Sequence, residues 1–286
     1  MTNLITLIVI FLQVSVGLCV FAIGLNATAH DLQYLFRNPG KLLRAFLSMQ
    51  VIMPVFAVIA VLSFNLLPAV KIVLVALSVS PIPPILPKRA FRAGGRESYA
   101  ISLLVVAALL SIIWIPLYLE AFQRIIGVPL QIQPLAIARL ALISVLIPLG
   151  AGIAIRAALP DFAGRAASQI STIGTVMLLA GMVVVLARTL GDMGSLLRNG
   201  TLIALVAFAV VGLIAGHLLG GPEPEDRSVL AIFSAARHPG IALAIAQANF
   251  PQQRLALAAV LLALLVSAVV SAPYVSWAKT HRASIG

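Results

Sequence analysis

Apolar runs of about bilayer length follow one another along nearly the whole chain, separated by short polar connections. Crossing the hydrocarbon takes about 20 residues, and the pattern predicts nine spanning helices, at 3–25, 42–64, 67–92, 97–120, 135–158, 167–188, 199–220, 227–249 and 253–279. The clearest loops are the polar elbow Asp31–Lys41, with its turn signal Asn38-Pro39-Gly40, and Gly221–Asp226. No linker marks a second domain, so residues 1–286 read as one transmembrane domain. The first run ends near Ala27-Thr28-Ala29, which looks like a signal-peptide cleavage site. Its first three residues carry no Lys or Arg, and it exceeds the roughly 7–15 apolar residues of a signal peptide, so it is expected to be a spanning helix.

Two of the nine spans are interrupted. Pro81–Arg89 (PIPPILPKR) and Ser234–Gly240 (SAARHPG) each combine a proline break with fixed positive charge. Proline removes a backbone donor and clashes one turn back, freeing nearby backbone groups. In hydrocarbon, freed groups persist only where they are buried in protein or line a polar cavity. A pair of interrupted spans in corresponding halves therefore points to the midplane binding site of a secondary transporter. Arg237 sharpens the expectation, because a guanidinium near the centre of a span costs about 2.5–3.5 kcal/mol on insertion scales and is not expected to face lipid.

Composition excludes a soluble domain: 62% of residues are hydrophobic and 9% charged, against about 25% charged in soluble proteins. The net charge of +11 would suggest nucleic acid in a soluble chain, but most basic residues lie in the short connections and read as topology signals. With the N-terminus outside, Arg37, Lys41, Arg44, Lys88, Arg89, Arg92, Arg96, Arg156, Arg165, Arg227, Lys279 and Arg282 fall on the cytoplasmic side. Arg124, Arg139, Arg188, Arg198 and Arg254 fall on the other, a ratio of twelve to five. The bias predicts a multi-pass plasma (inner) membrane protein, N-terminus outside and C-terminus cytoplasmic. The interrupted spans then run in opposite directions, as an inverted repeat requires, with repeats at about 1–120 and 135–280. The single cysteine, Cys19, excludes a disulfide framework and a cysteine metal cluster. No HExxH, G-x-S-x-G or phosphate-loop motif is present, so the chain is expected to be neither an enzyme nor a cofactor protein.

The run Phe21–Pro54, with its Gly-Leu helix end, basic-proline elbow and the Q-x-x-x-P motif Gln50 to Pro54, is similar to the first signature stretch of the bile acid:sodium symporter family. Ala231–Phe250 (AIFSAARHPGIALAIAQANF) resembles that family's second crossover, E-x-G-x-Q-N-x-x-L-A. The resemblance implies a core bundle and a panel, two discontinuous helices that cross, and nine spans where some bacterial relatives have ten. It also implies sodium held by oxygens at the two crossovers. Here the glutamate slot is Ser234, the glutamine slot Arg237 and the asparagine slot His238. In the first crossover the serine and asparagine slots fall on Lys88 and Arg89 in one alignment, and on Leu86 and Pro87 in another. Of the family's sodium ligands only Gln50 carries over.

The expected function is transport of a small organic anion, bile acid-like or another carboxylate, by alternating access without sodium coupling, with the lipid bilayer as the other partner and no nucleic acid. Arg237 would supply in fixed form the positive charge that sodium brings, with a donor fork suited to a carboxylate. The substrate-binding candidates are Arg237, His238, Ser234, Gln50 and Arg89, with no metal site. Four of them have a structural alternative: Arg237 as a pin on freed carbonyls of the third span, His238 as a neutral ring satisfying a backbone carbonyl, Gln50 as a bridge over the Pro54 kink, and Arg89 as part of a solvated cluster with Lys88, Arg92 and Arg96. Sodium- or proton-coupled symport and a non-transporting membrane sensor stay open as other functions.

Overall fold

The computed structural model describes residues 2–126, 133–197 and 200–283, and among these every regular element is helical. In chain order they are α1 (Thr2–Asn26), α2 (Ala29–Gln33), α3 (Pro39–Phe46), α4 (Met53–Ser63), α5 (Pro68–Val79), α6 (Leu86–Arg92) and α7 (Glu97–Ile126). After these come α8 (Pro134–Ala141), α9 (Ile147–Ala158), α10 (Pro160–Leu196), α11 (Thr201–Leu219), α12 (Pro224–Ala235), α13 (Pro239–Asn249) and α14 (Ala256–Ala283). By length and composition, seven stretches of the described residues can cross a membrane, and Ile10–Asn26 and Pro68–Val79 are shorter apolar helices. Arg198, the side chain of Arg282 and Gly286 lie outside the described residues.

The segments expected at 42–64 and 135–158 are single rods built in three parts. A π-helical turn, Leu47–Ile52, joins α3 to α4, and another, Leu142–Leu146, joins α8 to α9. Each turn is followed by a proline at the second position of the next helix, Pro54 or Pro148. A proline inside a helix has no N–H to give and crowds the carbonyl one turn back; widening that turn to the π form relieves the crowding without ending the rod. The segment expected at 167–188 is longer than the pattern suggested. α10 runs 37 residues without interruption, about 55 Å at 1.5 Å per residue.

Two sets of helices show close backbone packing. α1 lies along α10 and α9, with glycines at the points of closest approach: a Cβ on Gly24 would collide with the Leu149 carbonyl oxygen, and one on Gly152 with the Phe21 carbonyl oxygen. Gly181 likewise faces Leu12, whereas Gly150 faces open space. In the second set, α11 carries Gly212 and Gly216 four residues apart, with Gly220 capping its end. They admit the backbone of α12 at Ala235, Ala231 and Arg227; a Cβ on Gly212 would fall 2.6 Å from the Ala235 Cα. Small residues at a spacing of four let helix backbones touch where no hydrophobic driving force is available. The close seat of α12 against α11 fixes where the break that follows it can lie.

Gly221–Asp226 is only partly the loop expected. Gly221 takes the left-handed φ of +93° at the turn, but Pro224 opens α12, with Glu225 and Asp226 in its first turn. Proline at the first helical position and acids beside the positive helix end suit that start.

Candidate functional site

The two breaks meet. Ser80 leaves α5 in an extended conformation because Pro81 follows, and a residue before proline is pushed out of the helical region. The chain does not resume as a helix until Leu86. In the second interrupted segment, Ala236 is extended (φ −124°, ψ 139°), and His238, which precedes Pro239, is extended as well. The His238 N–H donates to the Pro81 carbonyl at 2.8 Å, joining one break to the other. α5 packs on α13 and α6 on α12, so the half-helices of the two segments sit against each other in exchanged pairs.

Arg237 lies at this junction, 2% exposed and first by volume among the fully buried side chains. Its Nη1 donates to the Ser80 carbonyl at 3.3 Å and its Nη2 to the Met49 carbonyl at 2.5 Å. Both acceptors are freed by proline. Ser80 stands where α5 ends at Pro81. Met49 and Gln50 lie five and four residues before Pro54, whose missing N–H is the donor their carbonyls would otherwise receive. The Tyr118 hydroxyl donates to the Gln50 carbonyl, so both orphans of that turn are satisfied by side chains. Among the described residues, no carboxylate forms an ion pair with Arg237.

His238 caps α13. Its Nδ1 accepts from the Ile241 N–H at 3.3 Å, which assigns the ring proton of the neutral imidazole to Nε2. That Nε2 is buried and has no partner among the protein groups, and the same holds for the Nε of Arg237. Two adjacent residues thus each present one unused, buried N–H.

The other candidates are dispersed around this pair. Ser234 is fully buried and shares a 2.7 Å hydrogen bond with Ser48, so the slot expected to hold an acid in the family is closed on a second hydroxyl. The Gln50 side chain is buried with an unpartnered Oε1 and lines a narrow cavity against Leu103 and Ala107 of α7, with room for about one water molecule. Arg89 stands apart on α6 and donates to the Ala268 carbonyl of α14 at 2.5 Å. The structure therefore brings Arg237 and His238 together, places Ser234 and Gln50 in the same layer without hydrogen-bonding them to that pair, and directs Arg89 elsewhere. The pin anticipated for Arg237 on the third span is realised at Ser80, and the second carbonyl comes from Met49 of the second span.

Two polar clusters were not anticipated. Asp226, fully buried at the start of α12, accepts from Lys41 at 2.5 Å, from Arg96 at 2.8 Å and from the Tyr34 hydroxyl at 3.5 Å. Arg96 also meets Glu225 at 3.3 Å, and both cations stand over the Tyr34 ring. Partial burial pulls the Arg96 pKa down, but Asp226, Tyr34 and Glu225 raise it overall. The helix-start signature Pro224-Glu225-Asp226 was the sequence signal for this cluster. The second is Lys88 of α6, whose ammonium donates to the Thr175 hydroxyl at 2.8 Å and the Ser171 carbonyl at 3.0 Å on α10. Its signal was only its place in the basic run after Pro87. No group of three or more His, Cys, Asp and Glu able to hold a metal occurs among the described residues.

All-helical architecture, apolar stretches long enough to cross a bilayer and paired helix breaks that meet around a buried cation define a multi-pass membrane protein of the transporter class. The chain belongs to the sodium bile acid symporter family, whose profile matches residues 13–196. That match holds the first break and leaves the second outside it. The chain is also similar to the uncharacterized sodium-dependent transporter YocS of Bacillus subtilis (strain 168), with 22% identity over 254 residues that cover 87% of this chain and 77% of that protein.

Proposed function

We propose that the protein is a secondary transporter of a small organic anion in which Arg237 supplies permanently the positive charge that a coupling sodium ion would bring. The observation that carries this reading is the buried guanidinium with no carboxylate partner among the described residues, bonded to the Ser80 and Met49 carbonyls and adjoined by unused N–H groups on Arg237 Nε and His238 Nε2. Unused buried donors suit an anionic acceptor. Sodium is a hard cation that seeks oxygen, preferably anionic. Here the carbonyls already accept from the guanidinium, Ser234 is paired with Ser48, and of the oxygens the resemblance implies only Gln50 Oε1 is free. At an effective dielectric of about 20, two unit charges roughly 4 Å apart repel by ~4 kcal/mol, which weakens sodium binding about a thousandfold.

In this reading Arg237 and His238 contact the substrate, Ser234 and Gln50 shape the layer around them, and Arg89 holds α6 to α14. The chain forms nine spans in one inverted repeat, and the set containing both breaks moves as a core against a panel of α1, α9 and α10.

Uptake of labelled carboxylates into proteoliposomes, compared in sodium, potassium and choline media, tests the coupling. Equal initial rates in the three media are expected. A steep rise with sodium would favour the second reading, sodium-coupled symport, to which the family's name and that of the Bacillus relative point, and would overturn this one. The orientation is tested separately by fusions after Gly286: a fluorescent protein is expected to fluoresce and alkaline phosphatase to be inactive, and the reverse pattern would invert the topology.

A further inference from the structure

Away from Arg237, a cavity of about 390 Å³ opens between α1, α6, α7 and α10. It lies within the size range of small-molecule sites, which begins at about 300 Å³. Ile23, Phe91 and Ile101 give it apolar walls, while Lys88, Asn26 and Ser171 give it a polar side. Lys88 is half-buried, and its acceptors are neutral: the Thr175 hydroxyl, the Ser171 carbonyl and, at 3.7 Å, the Cys19 sulfur. An ammonium has three donors, and a thiol is a weak acceptor for the third. Glu97 lines the same cavity but makes no ion pair with Lys88. One wall thus offers a cation with no counter-charge among the described residues, and another a carboxylate exposed at the start of α7.

We propose that Lys88 and Glu97 form a charge filter in this cavity. Lys88 binds the carboxylate of an amphipathic monoanion whose apolar body lies on Ile23, Phe91 and Ile101, and Glu97 repels a second negative charge, so dicarboxylates are rejected. Lys88 sits on α6 and its partners on α1 and α10, so a bound carboxylate competes with Thr175 and Ser171 for the ammonium. The filter rests on the reading of the protein as an organic-anion carrier, but it uses residues separate from Arg237 and can fail independently.

The test is equilibrium binding of three probes, 2-naphthoate, 2,6-naphthalenedicarboxylate and uncharged 2-naphthalenemethanol, to the purified full chain in sodium-free buffer. Wild-type protein is expected to prefer the monoanion. Lys88→Gln should weaken 2-naphthoate about tenfold, the scale of one partly screened charge contact, and leave 2-naphthalenemethanol unchanged. Glu97→Gln, an exposed change that does not threaten folding, should strengthen the dicarboxylate about tenfold with little effect on the monoanion. If Lys88→Gln does not fold, the Glu97→Gln result decides alone. Unchanged dicarboxylate affinity in Glu97→Gln, unchanged 2-naphthoate affinity in a folded Lys88→Gln, or no binding of 2-naphthoate to wild-type protein each overturns the filter. Arg237→Gln measured beside them separates the two ideas: loss of 2-naphthoate binding in Arg237→Gln but not in Lys88→Gln sinks the filter and spares the carrier reading, and the converse sinks the carrier site.

Discussion

Arg237→Gln is expected to abolish substrate uptake while leaving the protein folded with an unchanged or raised melting temperature. The two halves of this result follow from different terms. A buried ion without a counter-charge carries a desolvation penalty of several kcal/mol, and among the described residues Arg237 has carbonyls and no carboxylate to offset it. Removing the charge removes that penalty. The opposing loss is the pair of hydrogen bonds to Ser80 and Met49, and an unsatisfied buried carbonyl costs about 1–3 kcal/mol. A glutamine amide can still donate to one of them, so the terms nearly cancel. Function has no such cancellation. A carboxylate about 6 Å from the guanidinium gains ~3 kcal/mol at an effective dielectric of 20, roughly a hundredfold in affinity, and all of it goes with the charge.

Arg237→Lys keeps the charge but not the fork, and an ammonium reaching the same two carbonyls has one N–H left for substrate, so partial uptake is expected. Thermal unfolding with and without substrate reads both terms at once. A melting temperature that falls by several degrees in Arg237→Gln, together with unchanged substrate-induced stabilisation, would make Arg237 a structural pin and nothing more.

The sequence disclosed the parts of this molecule that depend on composition and on proline. Apolar run lengths, which bilayer thickness sets directly, located the seven stretches of the described residues that are long enough to cross a membrane, and Pro81 and Pro239 located both breaks to within a residue or two because proline acts on its immediate neighbours. What the sequence could not display is which freed group meets which donor. Met49 and Tyr118 carry no motif, yet the carbonyl of one and the hydroxyl of the other complete the layer around Arg237. Ser48 closes the Ser234 slot across 186 positions of sequence. Arg89 and Lys88 show the same limit from the other side. Adjacent residues on a helix point about 100° apart, and that angle sends Arg89 to Ala268 and Lys88 to Thr175, a choice that depends on how α6 is rotated against its neighbours.

Asp226→Asn is expected to destabilise the fold by about 3 kcal/mol, the lower end of the effect of breaking a buried charge pair. The carboxylate is fully buried and holds Lys41 from α3 and Arg96 from the turn before α7, so one side chain ties three segments at the same end of the molecule. Asparagine keeps the shape but offers a single neutral acceptor to two cations. Lys41 and Arg96 have side-chain exposures of 18% and 35% and can recover some hydration, which keeps the loss below that of a deeply buried pair. For a chain of this size the change corresponds to a fall of roughly 5 °C in melting temperature. Glu223→Gln is the matched control: Glu223 meets Lys41 at 3.5 Å with 40% of its side chain exposed, and such a pair contributes less than about 1 kcal/mol. Melting curves of the two variants in the same detergent should differ clearly. If Asp226→Asn melts within a degree or two of Glu223→Gln, the buried cluster does not hold these segments together, and the glycine contacts between α11 and α12 must seat α12 alone.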